Sequence, residues 1–134
     1  MHRKVQLIVS GGIRNGADVA KALAMGADAV SIGTAAMIAL GDNSPKFEKE
    51  YNELGTSAGY YDDYQDGLDP ELGGRKIANY LNCMTLELQT LARACGKSHV
   101  HNLEPEDMVA LTIEAAAMAK IPLAGTDWVP GQNF

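Results

Sequence analysis

The sequence predicts an α/β protein: parallel strands alternating with helices over the first forty residues, then a mostly helical extension. Three observations carry this. Val5–Ser10 and Asp28–Gly33 are short, mostly apolar runs with β-branched residues, each bounded by glycine. Strands apolar on both faces mark a parallel sheet covered on both sides. Ala17–Met25 and Thr34–Leu40 follow those runs with helical spacing, and from Arg75 onward the apolar residues step by three and four.

Val5–Ser10 ends at Gly11-Gly12, and Ile13-Arg14-Asn15-Gly16 leads into the first helix. Val19, Ala20, Leu23 and Ala24 share one helical face. Asn15 or Gly16 suits the start, Asp18 the first turn, and Gly26 the stop. The second strand, Asp28–Gly33, hands over to the small-residue helix Thr34–Leu40. Strand, helix, strand, helix with short connections is a βαβα unit, whose strands run parallel with a right-handed crossover. From Gly41 to Gly74 the chain is dense in Gly, Asp, Asn, Ser and Pro, with Tyr51, Tyr60, Tyr61 and Tyr64 among acidic residues. This stretch reads as an irregular excursion with one short helix at Lys46–Leu54; so long a loop is usually functional or mobile. Arg75–Cys95 reads as the strongest helix, with Ile77, Leu81, Met84, Leu88, Leu91 and Cys95 on one face and Gly96 as the stop. Pro105-Glu106-Asp107 starts a last helix with the stripe Met108, Leu111, Ala115 and Ala119, ended by Pro122. Three regions follow: 1–40, 41–74 and 75–134.

The chain has 134 residues, room for one domain, and 46% are hydrophobic, enough for a core. Seventeen acidic against 11 basic residues give a net charge of -6, which argues against nucleic acid as a partner. No apolar run approaches the roughly 18 residues of a membrane span, and the first residues lack the apolar stretch of a signal peptide. The cysteines, Cys83 and Cys95, are too few for a disulfide framework or a four-thiolate metal site. They read as core thiols, and a cytoplasmic location follows.

The chemistry-bearing feature is a pair of strand ends, Gly11-Gly12 and Gly33-Thr34. Each sits where a parallel strand gives way to a helix, with unpaired N–H groups and the positive end of the helix dipole. Glycine lets a phosphate approach the main chain. Arg14 adds a charge-assisted contact, and the Ser10 and Thr34 hydroxyls add neutral ones. In (β/α)8 barrels such a cradle lies after strands seven and eight. The plainer reading is a Gly-Gly turn beside a solvated Arg14. His99 and His101 share a face if extended, as metal ligands would, but their turn sequence fits capping or carbonyl contacts better. Ser98-His99 lacks an acid to orient the imidazole. Asp62, Asp63, Asp66 and Asp69 do not match a calcium loop and read as a solvated acidic surface.

The stretch from Leu7 to Ala35, LIVSGGIRNGADVAKALAMGADAVSIGTA, resembles the last two βα units of the FMN-binding TIM barrel of glutamate synthase. IMP dehydrogenase and flavin-dependent 2-hydroxy acid oxidases show a looser version. Ala78–Leu81, Thr85–Glu87 and Ala94–Leu103 extend the likeness toward short, single-domain members, among them the large subunit of N-methylglutamate synthase. The resemblance implies a flavoenzyme in which reduced FMN reduces an imine of 2-oxoglutarate and ammonia; the N-methyl variant joins methylamine and glutamate. By position it implies that Gly11, Gly12, Gly33 and Thr34 hold the FMN phosphate, with Ile13 and Arg14 close by; it assigns no catalytic residue.

Two departures shape the expectation. Family members follow the last barrel strand with cysteines that hold a three-iron centre, whereas Leu40–Pro45 has none, so no iron–sulfur cluster is expected. A barrel needs eight strands, and this chain offers two. The chain is expected to be a C-terminal fragment, or a subunit that completes a barrel with another chain. The alternative is a catalytically inactive remnant or interaction subunit.

Overall fold

The computed structural model describes residues 5–42 and 69–131. Two three-residue strands, β1 (Ile8–Ser10) and β2 (Ala29–Ser31), pair in parallel with Val9 opposite Val30 and Ser10 opposite Ser31. Both are shorter than the apolar runs that announce them. Helix α1 (Gly16–Ala24) connects them, capped by Asn15, whose side chain accepts from the Asp18 N–H. Gly26, at φ 99°, ends the turn after it. After β2 comes α2 (Thr34–Met37), which widens into a π-helical stretch at Ile38–Asp42. The βαβα order and the parallel pairing agree with the sequence reading. A small parallel sheet with helices is what the described residues contain.

Helix α3 spans Pro70–Ala94, 25 residues. It therefore starts five residues before the expected Arg75, inside what was read as the irregular excursion. Asp69 accepts from the N–H groups of Glu71 and Leu72, and Pro70 occupies the first turn, where its missing N–H costs nothing. Gly73 and Gly74 look like breakers, but Gly73 is buried against Leu40: an added Cβ would stand 2.8 Å from Leu40 Cδ1. That close approach keeps glycine inside the helix. Asp69 is thus a helix cap. The expected helix at Lys46–Leu54, the four tyrosines and the remaining aspartates of the acidic cluster lie outside the described residues.

The last expected helix is broken. Pro105–Asp107 is a single 3-10 turn in which Asp107 accepts from the Glu104 N–H at 2.9 Å. The chain then extends through Met108, and Ala110 bridges in parallel to Leu123. A fresh helix, α4 (Ile113–Ala119), starts only after Thr112 caps the Ala115 N–H. Asp107 and Thr112 each satisfy N–H groups locally, so the two short pieces compete successfully with one long helix. The expected stripe fails with it: Leu111 is 86% exposed, and Ala110, Ala116 and Ile121 are buried instead.

The main core lies between α1, α3 and one face of the sheet. Val19, Leu23 and Met84 are buried, with Ile13, Val30, Ile32, Tyr80 and Leu88 packed around them. A second cluster, Ala24, Ala92 and Leu103, continues it toward the end of α3. The covered face of α3 follows Tyr80, Met84, Leu88 and Ala92. Leu81, at the edge of the expected stripe, is 43% exposed. Cys83 and Cys95 are exposed, so neither is a core thiol; both fall outside that face. None of the described helices is long and apolar enough to cross a membrane.

Candidate functional site

The site begins at the end of β1. Gly11 and Gly12 adopt φ of 107° and 68°, a left-handed backbone that favours glycine, and a Cβ on either would meet nothing within 4 Å. Conformation alone therefore explains these two. The chain turns through Ile13 and Arg14 to the Asn15 cap. Because Ser31 pairs with Ser10, the exit from β2 through Ile32, Gly33 and Thr34 runs beside the exit from β1. The structure brings Gly11, Gly12, Ile13, Arg14, Gly33 and Thr34 around one hollow of about 370 Å³, with Ser10 and Ser31 also lining it.

The donors there are main-chain groups. The ladder register directs the Gly11 N–H to the Ser31 carbonyl, and among the described residues the N–H groups of Gly12, Ile13, Gly33 and Thr34 have no backbone partner. Helix α2 starts at Gly33 with no side-chain cap, whereas Asn15, Asp69 and Thr112 cap α1, α3 and α4. The expectation that both helix starts offer free donors needs correction. At α1 the Gly16 N–H donates to Glu87 Oε2 at 2.7 Å, the Asp18 N–H to Asn15 Oδ1 at 2.9 Å, and the Arg14 N–H to Asp18 Oδ2 at 3.1 Å. The chain's own oxygens occupy that end, and the open donors are those of the glycine loop and the α2 start.

Arg14 is the cation that lines the hollow. Its side chain is 77% exposed, with Nε 3.7 Å from Asp18, which lies equally far from Lys21 Nζ. Such exposed pairs hold weakly, so the guanidinium can turn to an anion. Below it, the Tyr80 hydroxyl donates to the Arg14 carbonyl at 2.7 Å. Burial first, and the Asp18 charge second, push the Tyr80 phenol above its usual pKa, which keeps it a neutral donor. The residues suit a phosphate monoester. At Gly33, which lines the hollow, φ is -111° and a Cβ would meet nothing within 4 Å, so neither conformation nor packing demands glycine there. A larger hollow of about 470 Å³, lined by α1, the end of α3 and residues 103–121, is apolar apart from Lys21, Cys95 and Asp107.

The remaining sequence candidates resolve simply. His99 Nδ1 accepts from the His101 N–H at 3.2 Å, and His101 Nε2 lies 3.2 Å from the Asp28 carbonyl, so the pair caps a turn and contacts a carbonyl. The Ser98 hydroxyl meets Asn102, not His99. Among the described residues, no three His, Cys, Asp or Glu side chains gather as a metal site would require. Tyr80 and Glu87, which touch the glycine loop, were assigned no role from sequence. Tyr80 stands one turn before the buried Met84, which is a spacing signal, whereas Glu87 is exposed and is marked only by its bond to Gly16.

Two adjacent parallel strands whose glycine-tipped C-terminal ends line one hollow place this chain among the α/β proteins. A family model of the conserved region in glutamate synthase matches residues 1–98, and the chain belongs to that family. It is similar to a glutamate synthase large subunit-like protein of Rhizobium meliloti (strain 1021), 64% identical over 149 residues, covering 99% of this chain and 34% of the relative. An archaeal glutamate synthase (NADPH) of Methanocaldococcus jannaschii is 41% identical over 105 residues, 77% of this chain and 20% of the relative. A pre-mycofactocin synthase of Mycolicibacterium smegmatis is 28% identical over 123 residues, 92% of this chain and 24% of the relative. The chain thus spans at most about a third of the length of these relatives. No solved structure matches.

Proposed function

We propose that this chain is the phosphate-holding, C-terminal portion of an FMN-dependent oxidoreductase of the glutamate synthase type, acting in the cytoplasm and forming glutamate or N-methylglutamate from 2-oxoglutarate or glutamate and an amine. The observation that carries the proposal is the hollow where Gly11, Gly12, Ile13, Arg14, Gly33 and Thr34 meet, with unpartnered main-chain donors on both sides. When bound, FMN supplies the hydride. The chain's own residues hold its anionic end: the N–H groups of the glycine loop and of the α2 start donate to phosphate oxygens, Thr34 adds a hydroxyl, and Arg14 adds charge.

These two units are the last two of a TIM barrel, completed by the rest of a longer protein or by a partner subunit. The inner sheet face supports this: Ile8 is 66% exposed on it, although parallel sheets bury both faces. That same bare face favours a second reading, an interaction subunit with no activity of its own.

The test is an NMR titration of the labelled chain with FMN and with riboflavin, which lacks the phosphate. FMN should move the amides of Gly11, Gly12, Gly33 and Thr34, and riboflavin should not. Gly33→Ala should weaken FMN about tenfold, because its methyl crowds the phosphate while the N–H remains, and should leave the thermal midpoint in place. Amides that ignore FMN, or answer riboflavin equally, would defeat the phosphate reading and leave the interaction subunit.

A further inference from the structure

Helix α3 lies outside the two βα units, yet two of its side chains grip the loop between β1 and α1. The Tyr80 hydroxyl donates to the Arg14 carbonyl and the Gly16 N–H donates to Glu87 Oε2, each at 2.7 Å and across 66 and 71 residues of sequence. Between these bonds the backbones touch: a Cβ on Gly16 would stand 2.7 Å from the Leu88 nitrogen and 2.8 Å from Glu87 Cβ. Residues 11–13, which carry the open N–H groups of Gly12 and Ile13, are therefore fixed at one end by the sheet at Ser10 and at the other by α3 at Arg14 and Gly16.

We infer that Tyr80 and Glu87 are positioning residues for the anion site, holding the Gly11–Arg14 main chain so that its donors converge on one phosphate. The inference rests on the reading of the hollow as a phosphate site and adds residues that never touch the ligand. Electrostatics makes it testable by sign. A carboxylate near a bound phosphate repels it. If Glu87 served no positioning purpose, removing its charge would tighten anion binding. If it holds the loop through the Gly16 N–H, removing the acceptor loosens binding despite the lost repulsion. An amide at position 87 keeps an acceptor and drops the charge. Tyr80 stays neutral near pH 7, so its contribution is the hydroxyl alone.

The experiment titrates the full chain and the variants Tyr80→Phe, Glu87→Ala and Glu87→Gln with FMN, and in parallel with inorganic phosphate, following the Gly11, Gly12 and Gly33 amides. Tyr80→Phe and Glu87→Ala should each weaken binding about five- to tenfold, the range of a single hydrogen bond. Glu87→Gln should bind as tightly as the parent or more tightly. Without ligand, the Gly16 amide should exchange with solvent faster in Glu87→Ala than in Glu87→Gln. Unchanged or tighter binding by Glu87→Ala, with Tyr80→Phe equal to the parent, overturns the positioning role while the phosphate site stands. A parent chain whose hollow amides answer neither FMN nor phosphate overturns both.

Discussion

The two faces of the small sheet are unlike each other. Val9 and Val30 point the same way in register and are half-buried; Val30 packs with α1 and α3 around Val19, Leu23 and Met84. Ile8, Ser10, Ala29 and Ser31 occupy the other face and are exposed. Both faces carry apolar residues, and the described residues cover only one. The difference teaches which part of the architecture is self-sufficient. The helix-covered side, together with the loop that α3 pins, is built from local sequence. The bare side has no such cover among the described residues, and two strands alone lack independent stability.

The covered side depends most on the approach of α1 to α3, so the largest effect is expected at Gly16. A Cβ there meets the Met84 carbonyl and the Leu88 nitrogen, both backbone atoms that cannot swing aside. Gly16→Ala should cost about 2 to 3 kcal/mol, the upper range for overpacking, read as a shift of the urea midpoint at constant slope. A variant that unfolds like the parent would mean the helices can separate freely, and the contrast between the faces would lose its cause.

Much of this side is legible in the sequence, and the reasons are local. Asn15 and Gly26 bound α1 through capping chemistry that operates within a few residues. Gly11, Gly12, Gly33, Thr34 and Arg14 could be placed at one hollow because adjacency of parallel strand ends follows from the βαβ order itself, whereas Ile13 entered only through the family resemblance. What failed needed tertiary knowledge. Gly73 reads as a breaker until Leu40 is seen against it, and Asp69 reads as surface charge until it caps the early start of α3. The stretch after Pro105 carries an apolar pattern compatible with one helix; Asp107 and Thr112 break it through side-chain bonds whose competition with the ladder is nearly balanced in isolation. Glu87 is similar: only the bond to Gly16, 71 residues away, separates it from any exposed helical glutamate.

The comparison sharpens directly in a pair of truncations. Val30→Ala removes methyl groups from the covered cluster and should cost roughly 1 kcal/mol for a half-buried side chain. Ile8→Ala removes a larger group from the bare face and should cost less than about 0.5 kcal/mol, as surface changes do. The ordering inverts side-chain size, so equal costs would mean Ile8 is covered in solution. Ile8→Lys should also reduce self-association in sedimentation experiments, since a charge on an open apolar strand blocks edge and face pairing.

The smallest expected effect lies at the far end of the covered side, where Lys97 closes the end of α3 onto the following turn. Its ammonium sits 3.0 Å from Glu104 and 3.3 Å from Asp107, partly covered by the turn. The hydrogen bond to Glu104, with a further one to Asp107 and the charges of both acids, raises the Lys97 pKa against an opposing desolvation cost. A raised value in the folded state means that the folded chain holds its proton longer than the unfolded one. The stabilisation is therefore complete below the ordinary lysine value near 10.5 and disappears as pH rises through the higher folded value. Tyr80 titrates in the same direction from its own raised value, so the parent alone cannot separate them. Lys97→Met can: its thermal midpoint should fall below the parent's at pH 7 and 9, and the two should converge as pH rises through the raised folded value. A gap that persists at high pH would assign the role of Lys97 to the packing of its alkyl stem, and the turn would then belong to the core rather than to the charged surface beside it.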